Sequence, residues 1–149
     1  MRAALALLVL SCACSTDASD DGGARAFCVS ETNMYREMEG VEPVERSSEL
    51  EAFAQEGAEI DFGTQPHEHF GFDGQGVALA ENECPQQGGW AVGQGETQQT
   101  VVAQCIRAFY AEGAGGPHFT NLMGPYALVG CGIHEQDGKI TIVQDFSNP

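Results

Sequence analysis

Apolar residues recur at helical spacing in the first half of the chain. A helix is predicted from Ser30, which can cap it, to about Glu39, with Gly40 as its stop. Its expected apolar stripe consists of Met34, Tyr35 and Met38. A second helix is predicted from Ser48 toward Phe62, because Ser48 opens a capping-box sequence and apolar residues then recur every three or four positions.

A third helical pattern covers Thr97 to Glu112, where apolar residues form one broad face. Glu112 follows Ala108 by one helical turn, so its carboxylate is expected to point toward the buried side. Between the second and third patterns, residues 63–95 are rich in Gly, Gln and Pro. Irregular backbone is predicted there, with a short helical turn near Val77–Asn82, and long ordered loops of this kind often carry function.

The C-terminal segment carries the strongest local signal in the chain. Residues 128–136 and 139–146 have strand-like composition and flank Asp137-Gly138, a dipeptide typical of a type I′ turn. A two-residue turn places Gln136 opposite Lys139. The fold class predicted from these elements is α+β, a three-layer α-β-α sandwich in which helices pack on a small antiparallel sheet that ends in this hairpin.

The N-terminal segment is typical of an export signal. One basic residue precedes an apolar run over residues 3–10 that is too short to span a bilayer. The sequence Val9-Leu10-Ser11-Cys12 resembles a bacterial lipobox, in which the cysteine is lipidated. Cys14 is the alternative lipidation site. Lipidation at Cys14 would remove Cys12 together with the signal, so no unpaired cysteine would remain. The predicted domains are a lipoprotein-type signal peptide (1–11), a flexible tether (12–26) and one folded domain (27–149).

Composition narrows the classes of partner. The chain has 22 acidic and 6 basic residues, and its formal net charge is -16. Nucleic acid is excluded, because phosphate binding needs clustered cations, and membrane contact is expected only through the lipid anchor. Four of the six cysteines remain in the predicted domain, and they indicate two disulfides of open pairing in an exported protein. These four are Cys28, Cys84, Cys105 and Cys131.

Several short motifs occur together in the predicted domain: Asn33-Met34-Tyr35-Arg36, Ala80-Glu81-Asn82-Glu83, Phe109-Tyr110-Ala111-Glu112, Gly116-Pro117-His118-Phe119 and the hairpin sequence through Phe146. Together they resemble the CAP superfamily, which includes cysteine-rich secretory proteins, antigen five and pathogenesis-related proteins and whose domain is also called the SCP domain. The resemblance covers essentially the whole predicted domain. It departs from the family pattern at Phe109 and Ala80, which replace Trp and Gly, and at Pro117 beside the expected cleft.

The resemblance implies a cleft tetrad of two histidines and two glutamates. Glu81, Glu112 and His118 match three members, and the fourth is His67 or His69, with His67 preferred. Two imidazoles and two carboxylates suit a borderline cation such as Zn²⁺, with Mg²⁺ or Ca²⁺ as alternatives. Either glutamate could also act as a base near a bound cation.

Three functional hypotheses follow. The first is an exported, lipid-anchored CAP-domain binding module that holds a divalent cation and, as the resemblance implies for some members, a small apolar or sterol-like ligand or an extracellular protein. The second is a metal-dependent hydrolase that uses the same tetrad. The third is a structural or interaction domain with a vestigial cleft. Catalytic activity is left open, with binding favoured over catalysis.

Overall fold

The computed structural model describes residues 21–71 and 74–149, which form a mixed α and β domain. The helices are α1 (Asp21–Met38), α2 (Ser48–Gly63), α3 (Gln98–Ala111) and α4 (Pro117–Leu122), and the strands are β1 (Glu45–Arg46), β2 (Ala80–Cys84), β3 (Leu128–Gln136) and β4 (Lys139–Ser147). Two short 3₁₀ turns, Gly74–Gly76 and Gln86–Gly88, flank β2. The predicted α+β class is confirmed.

The four strands form one sheet in the order β1-β3-β4-β2. β1 pairs with β3 in parallel, whereas β3, β4 and β2 are antiparallel. The predicted hairpin is confirmed: Gln136 lies opposite Lys139, and both turn residues, Asp137 and Gly138, have positive φ as a type I′ turn requires.

Helices cover both faces of this sheet. α2 packs on one face so closely that a Cβ atom at Gly132 would lie 2.0 Å from the carbonyl oxygen of Ala54. α1 lies on the opposite face, where alternation along β3 directs Cys131 toward it, and α3 packs against α1. This arrangement gives the three layers predicted from the sequence.

Two disulfides connect the layers. Cys28 of α1 is bonded to Cys131 of β3, and Cys84 at the end of β2 is bonded to Cys105 of α3. The second bond joins the edge strand to the helix that leads to Glu112. The two lipidation candidates, Cys12 and Cys14, lie outside the described residues, as does the predicted signal peptide.

The first helix is longer than predicted. It begins at Asp21 instead of Ser30, so residues 21–26 are helical and not part of a flexible tether. Its buried side carries a mixed set of residues, Ala24, Cys28, Thr32, Tyr35 and Arg36. The predicted apolar stripe is wrong in two of its three members, because Met34 and Met38 are exposed. Small and polar residues on the buried side concealed the helix from a search for apolar periodicity.

Two elements near the cleft were not predicted. Residues 80–84 form a fully buried strand in place of the expected helical turn, and their polar composition explains the error. Residues 117–122 form a helix in which Pro117 occupies the first turn. Proline is favoured at this position, because the backbone N–H that it lacks has no partner within the helix.

Candidate metal centre

Glu81 and His67 form the first histidine–glutamate pair of the cleft. β2 holds the Glu81 side chain buried against the sheet, and the turn before the strand brings His67 to it with a positive φ of 63°. The ring Nδ1 of His67 lies 2.6 Å from Oε1 of Glu81. This hydrogen bond raises the pKa of His67, although burial opposes the shift. The His67 backbone N–H also donates to Oε2 of Glu83 at 2.7 Å.

Glu112 and His118 form the second pair. Glu112 caps the C-terminus of α3, and His118 lies in the first turn of α4. Nδ1 of His118 is 2.6 Å from Oε1 of Glu112, and the His118 backbone N–H donates to Oε2 at 3.0 Å. Desolvation raises the pKa of Glu112, but these hydrogen bonds lower it by more, and the net shift is downward. The Phe109 ring stacks on the imidazole of His118.

The expected orientation of Glu112 was wrong. Glu112 is exposed, and its carboxylate points to His118 instead of the buried side. The pattern placed Glu112 by extending α3, but the regular helix ends at Ala111. The donors from α4 supply the partner that a carboxylate at a helix C-terminus needs, since it opposes the helix dipole there.

Two asparagines bridge the elements that carry the pairs. Nδ2 of Asn82 donates to the carbonyl oxygen of His118 at 3.1 Å. Nδ2 of Asn121 donates to the carbonyl oxygen of Glu81 at 2.9 Å and to Oδ1 of Asn82 at 3.1 Å. These bonds attach α4 to β2, so both pairs are positioned by the same edge strand.

His69 lies away from both pairs. Its ring is buried against Phe53, with the ring centres 4.4 Å apart, and its backbone N–H donates to Oδ1 of Asp61 at 2.9 Å. Of the two candidate histidines, the structure therefore places His67 beside Glu81.

In the described part of the chain, one group of residues has potential ligand atoms that all lie within 4.8 Å of one another: His67, Glu81 and Glu83. Glu112 and His118 do not belong to that group. One imidazole and two carboxylates suit a borderline divalent cation. Two of the carboxylate oxygens, Oε2 of Glu81 and Oε1 of Glu83, are buried without a hydrogen-bond partner. The residues therefore fit a cation.

Three further buried carboxylates were not singled out from the sequence: Glu83, Asp145 and Asp61. Burial raises the pKa of Asp145 to about 9, with the nearby charge of Glu81 adding to it. Burial also raises the pKa of Glu83 to about 7 and that of Asp61. The alternating Glu81-Asn82-Glu83 sequence puts both glutamates on one face once the segment is recognised as a strand.

The sequence model of the CAP family, described as the cysteine-rich secretory protein family, matches residues 29–146. The chain belongs to this family. No curated protein matches the sequence of this CAP domain. Two disulfides in the domain are typical of proteins from oxidising, extracytoplasmic compartments.

Solved structures share the fold of this CAP domain. The crystal structure of NaASP2 with Zn²⁺ superimposes with a TM-score of 0.62 at 15% identity, covering 83% of this chain and 78% of NaASP2. The cysteine-rich secretory protein SAV1118 from Staphylococcus aureus subsp. aureus Mu50 has a TM-score of 0.56 at 13% identity, over 86% of this chain and 40% of that protein. At these identities the likeness concerns the fold alone. In the described residues, no helix combines the length and apolarity needed to cross a membrane.

Proposed function

We propose that this CAP domain is an extracytoplasmic binding module whose cleft holds a divalent cation with His67, Glu81, Glu112 and His118. The observation that carries the proposal is the pairing of each histidine with a glutamate oxygen at 2.6 Å, on two elements that Asn82 and Asn121 bridge. One divalent cation can replace the Nδ1 protons of both histidines. We favour Zn²⁺, the ion named with the NaASP2 structure, and keep Mg²⁺ and Ca²⁺ as alternatives.

Direct metal analysis tests this proposal. We expect the purified protein to bind about one Zn²⁺ per chain after equilibrium dialysis. The variants Glu112→Ala and His118→Ala should each weaken Zn²⁺ binding by about tenfold or more, because each removes one cleft donor and exposes its partner to water. Glu135→Ala is the control, since it removes the same charge from an exposed glutamate of the hairpin.

A protein that binds none of the three cations in this assay would rule out the proposed function. Zn²⁺ binding that Glu112→Ala and His118→Ala leave at the wild-type level would remove the α3–α4 pair from the site.

We also propose that the chain is exported and attached to the membrane by lipid at Cys12, with Cys14 as the alternative. The apolar run of residues 3–10 and the lipobox-like sequence support this localisation. The two disulfides are compatible with it.

A further inference from the structure

Four buried carboxylates lie behind His67 on the α2 face of the sheet, and we call them the inner acidic cluster: Asp61, Glu81, Glu83 and Asp145. The strand register explains three of them, because Glu81 is paired with Asp145 and Glu83 follows two residues later on the same face. Asp61 comes from α2, which covers this face. Each of the four residues is at most 6% exposed.

The cluster has fewer hydrogen-bond donors than carboxylate oxygens. Five of its carboxylate oxygens are buried without a hydrogen-bond partner: Oδ2 of Asp61, Oε2 of Glu81, Oε1 of Glu83 and both oxygens of Asp145. The ion pairs made by Glu81 and Glu83 both end on Nδ1 of His67, at 2.6 and 3.8 Å. Burying a carboxylate is costly unless a donor or a cation accompanies it. A cation beside His67 would therefore compensate the carboxylates of Glu81 and Glu83.

The spacing of three groups matches a shared ion. Two ligands about 2.1 Å from one tetrahedral ion are roughly 3.4 Å apart, as the ordinary zinc bond lengths require. The distances from Nδ1 of His67 to the nearest oxygens of Glu81 and Glu83, 2.6 and 3.8 Å, lie on either side of that value. Asp61 and Asp145 are outside the group whose ligand atoms are mutually within 4.8 Å.

From this geometry we infer that Glu83 is a direct ligand of the cleft cation, which it holds together with His67 and Glu81, while Asp145 and Asp61 lie outside the ligand set. The inference rests on the proposed function in one respect, namely that a cation binds beside His67. With Glu83 as a further donor, a site of imidazole nitrogens and carboxylate oxygens selects cations that accept mixed ligands, such as Zn²⁺ and Mn²⁺.

The test compares Glu83→Gln with two variants that leave the three proposed ligands in place. Glu68→Gln removes one charge from an exposed residue of the same turn, and Asp145→Asn replaces a buried carboxyl group that its raised pKa keeps protonated near neutral pH. By calorimetric titration with Zn²⁺ and with Mn²⁺, Glu83→Gln should weaken binding about tenfold or more. The two controls should weaken it by less than about threefold, because neither removes a ligand.

Thermal unfolding gives a second readout. Glu83→Gln retains an oxygen that can accept the His67 N–H and removes a buried charge, so its Tm in chelator should equal or exceed that of the wild type. Added Zn²⁺ should raise the Tm of the wild type by more than that of Glu83→Gln, since the stabilisation of the folded state grows with the affinity for the ligand.

Each outcome separates the two proposals. Wild-type affinity in Glu83→Gln would overturn the inference and leave the four-residue site standing, with the cation bound away from Glu83. Loss of affinity in Asp145→Asn equal to that in Glu83→Gln would also overturn it, because the effect would then not be specific to Glu83. A wild type that binds neither Zn²⁺ nor Mn²⁺ would refute the inference, and the proposed function would be refuted with it only if Mg²⁺ and Ca²⁺ also fail to bind.

Discussion

At the scale of single residues, one motif of the opening helix has a structural role. Arg36 is 1% exposed, and its guanidinium donates to the carbonyl oxygens of Glu42, Leu122, Gly124 and Tyr126 at 2.8 to 3.3 Å. These carbonyls belong to the loop after α1 and to the segment from the end of α4 toward β3. Arg36 therefore fixes the segment that follows α4.

Substitution of Arg36 by lysine should be strongly destabilising although it keeps the charge. A lysine ammonium cannot reproduce the planar fork of donors, and buried carbonyls would lose their partners. We expect a loss of about 3 kcal/mol in the free energy of unfolding, measured by urea denaturation. Arg107→Lys, on the exposed side of α3, is the control. Equal stability of the two variants would contradict the structural role of Arg36.

Individual cleft residues were only partly predictable. Glu81, Glu112 and His118 were named from short motifs, because each motif lies within a few residues of the chain. Glu83 was overlooked as a site residue, since its role depends on the backbone N–H of His67, which comes from a turn 16 residues earlier. The choice between His67 and His69 likewise depended on the conformation of that turn.

At the scale of elements, α2 and β3 approach closely because β3 carries glycine at two positions beneath the helix. A Cβ atom at Gly130 would lie 2.1 Å from the Leu50 carbonyl carbon, and one at Gly132 would lie 2.0 Å from the Ala54 carbonyl oxygen. Both contacts involve backbone atoms, so no side-chain rotation can relieve them. The glycines therefore set the distance between the helix layer and the sheet.

Gly132→Ala should force α2 away from the sheet. We expect a loss of about 3 kcal/mol in stability, because overpacking against a rigid helix backbone displaces the whole element. Thermal unfolding followed by circular dichroism measures the effect. Gly63→Ala is the matched control, since a Cβ atom there meets nothing within 4 Å. A Gly132→Ala protein as stable as Gly63→Ala would show that the two layers can separate without cost.

Elements with local signals were predicted well. The hairpin, α2 and α3 were confirmed because turn residues, caps and apolar periodicity act between near neighbours. The cap of α2 is displaced by one residue, with Ser47 accepting from the Leu50 N–H. β2 was missed because a polar edge strand is buried only after α2, α4 and the turn of His67 cover it.

At the scale of the whole molecule, the net charge of -16 is divided between surface and interior. Most acidic residues of α1 and α2 are exposed, whereas the inner acidic cluster is enclosed by the sheet and α2. The amino-acid composition alone gives only the total charge, not its division between surface and interior.

The two disulfides span very different distances in sequence, 103 residues for Cys28–Cys131 and 21 for Cys84–Cys105.

The proposed membrane attachment concerns the whole chain, and it is tested by removing the two N-terminal cysteines. The double variant Cys12→Ala, Cys14→Ala should move from the membrane fraction to the soluble fraction and lose incorporation of labelled fatty acid, because acyl chains supply the anchoring energy. The two single variants identify the lipidated cysteine. A double variant that stays with the membrane would disprove the anchor.

The sequence by itself determined the hairpin, two of the helices, the α+β class and three of the proposed cleft residues, since these features depend on contacts between residues close in the chain. Only the tertiary structure decided the disulfide pairing, the position of His67 beside Glu81 and the enclosure of Glu83, Asp145 and Asp61. These features depend on strand register and helix packing over long separations, as in the pairing of Glu81 with Asp145. A local pattern cannot specify such contacts, because they form only when the layers of the fold come together.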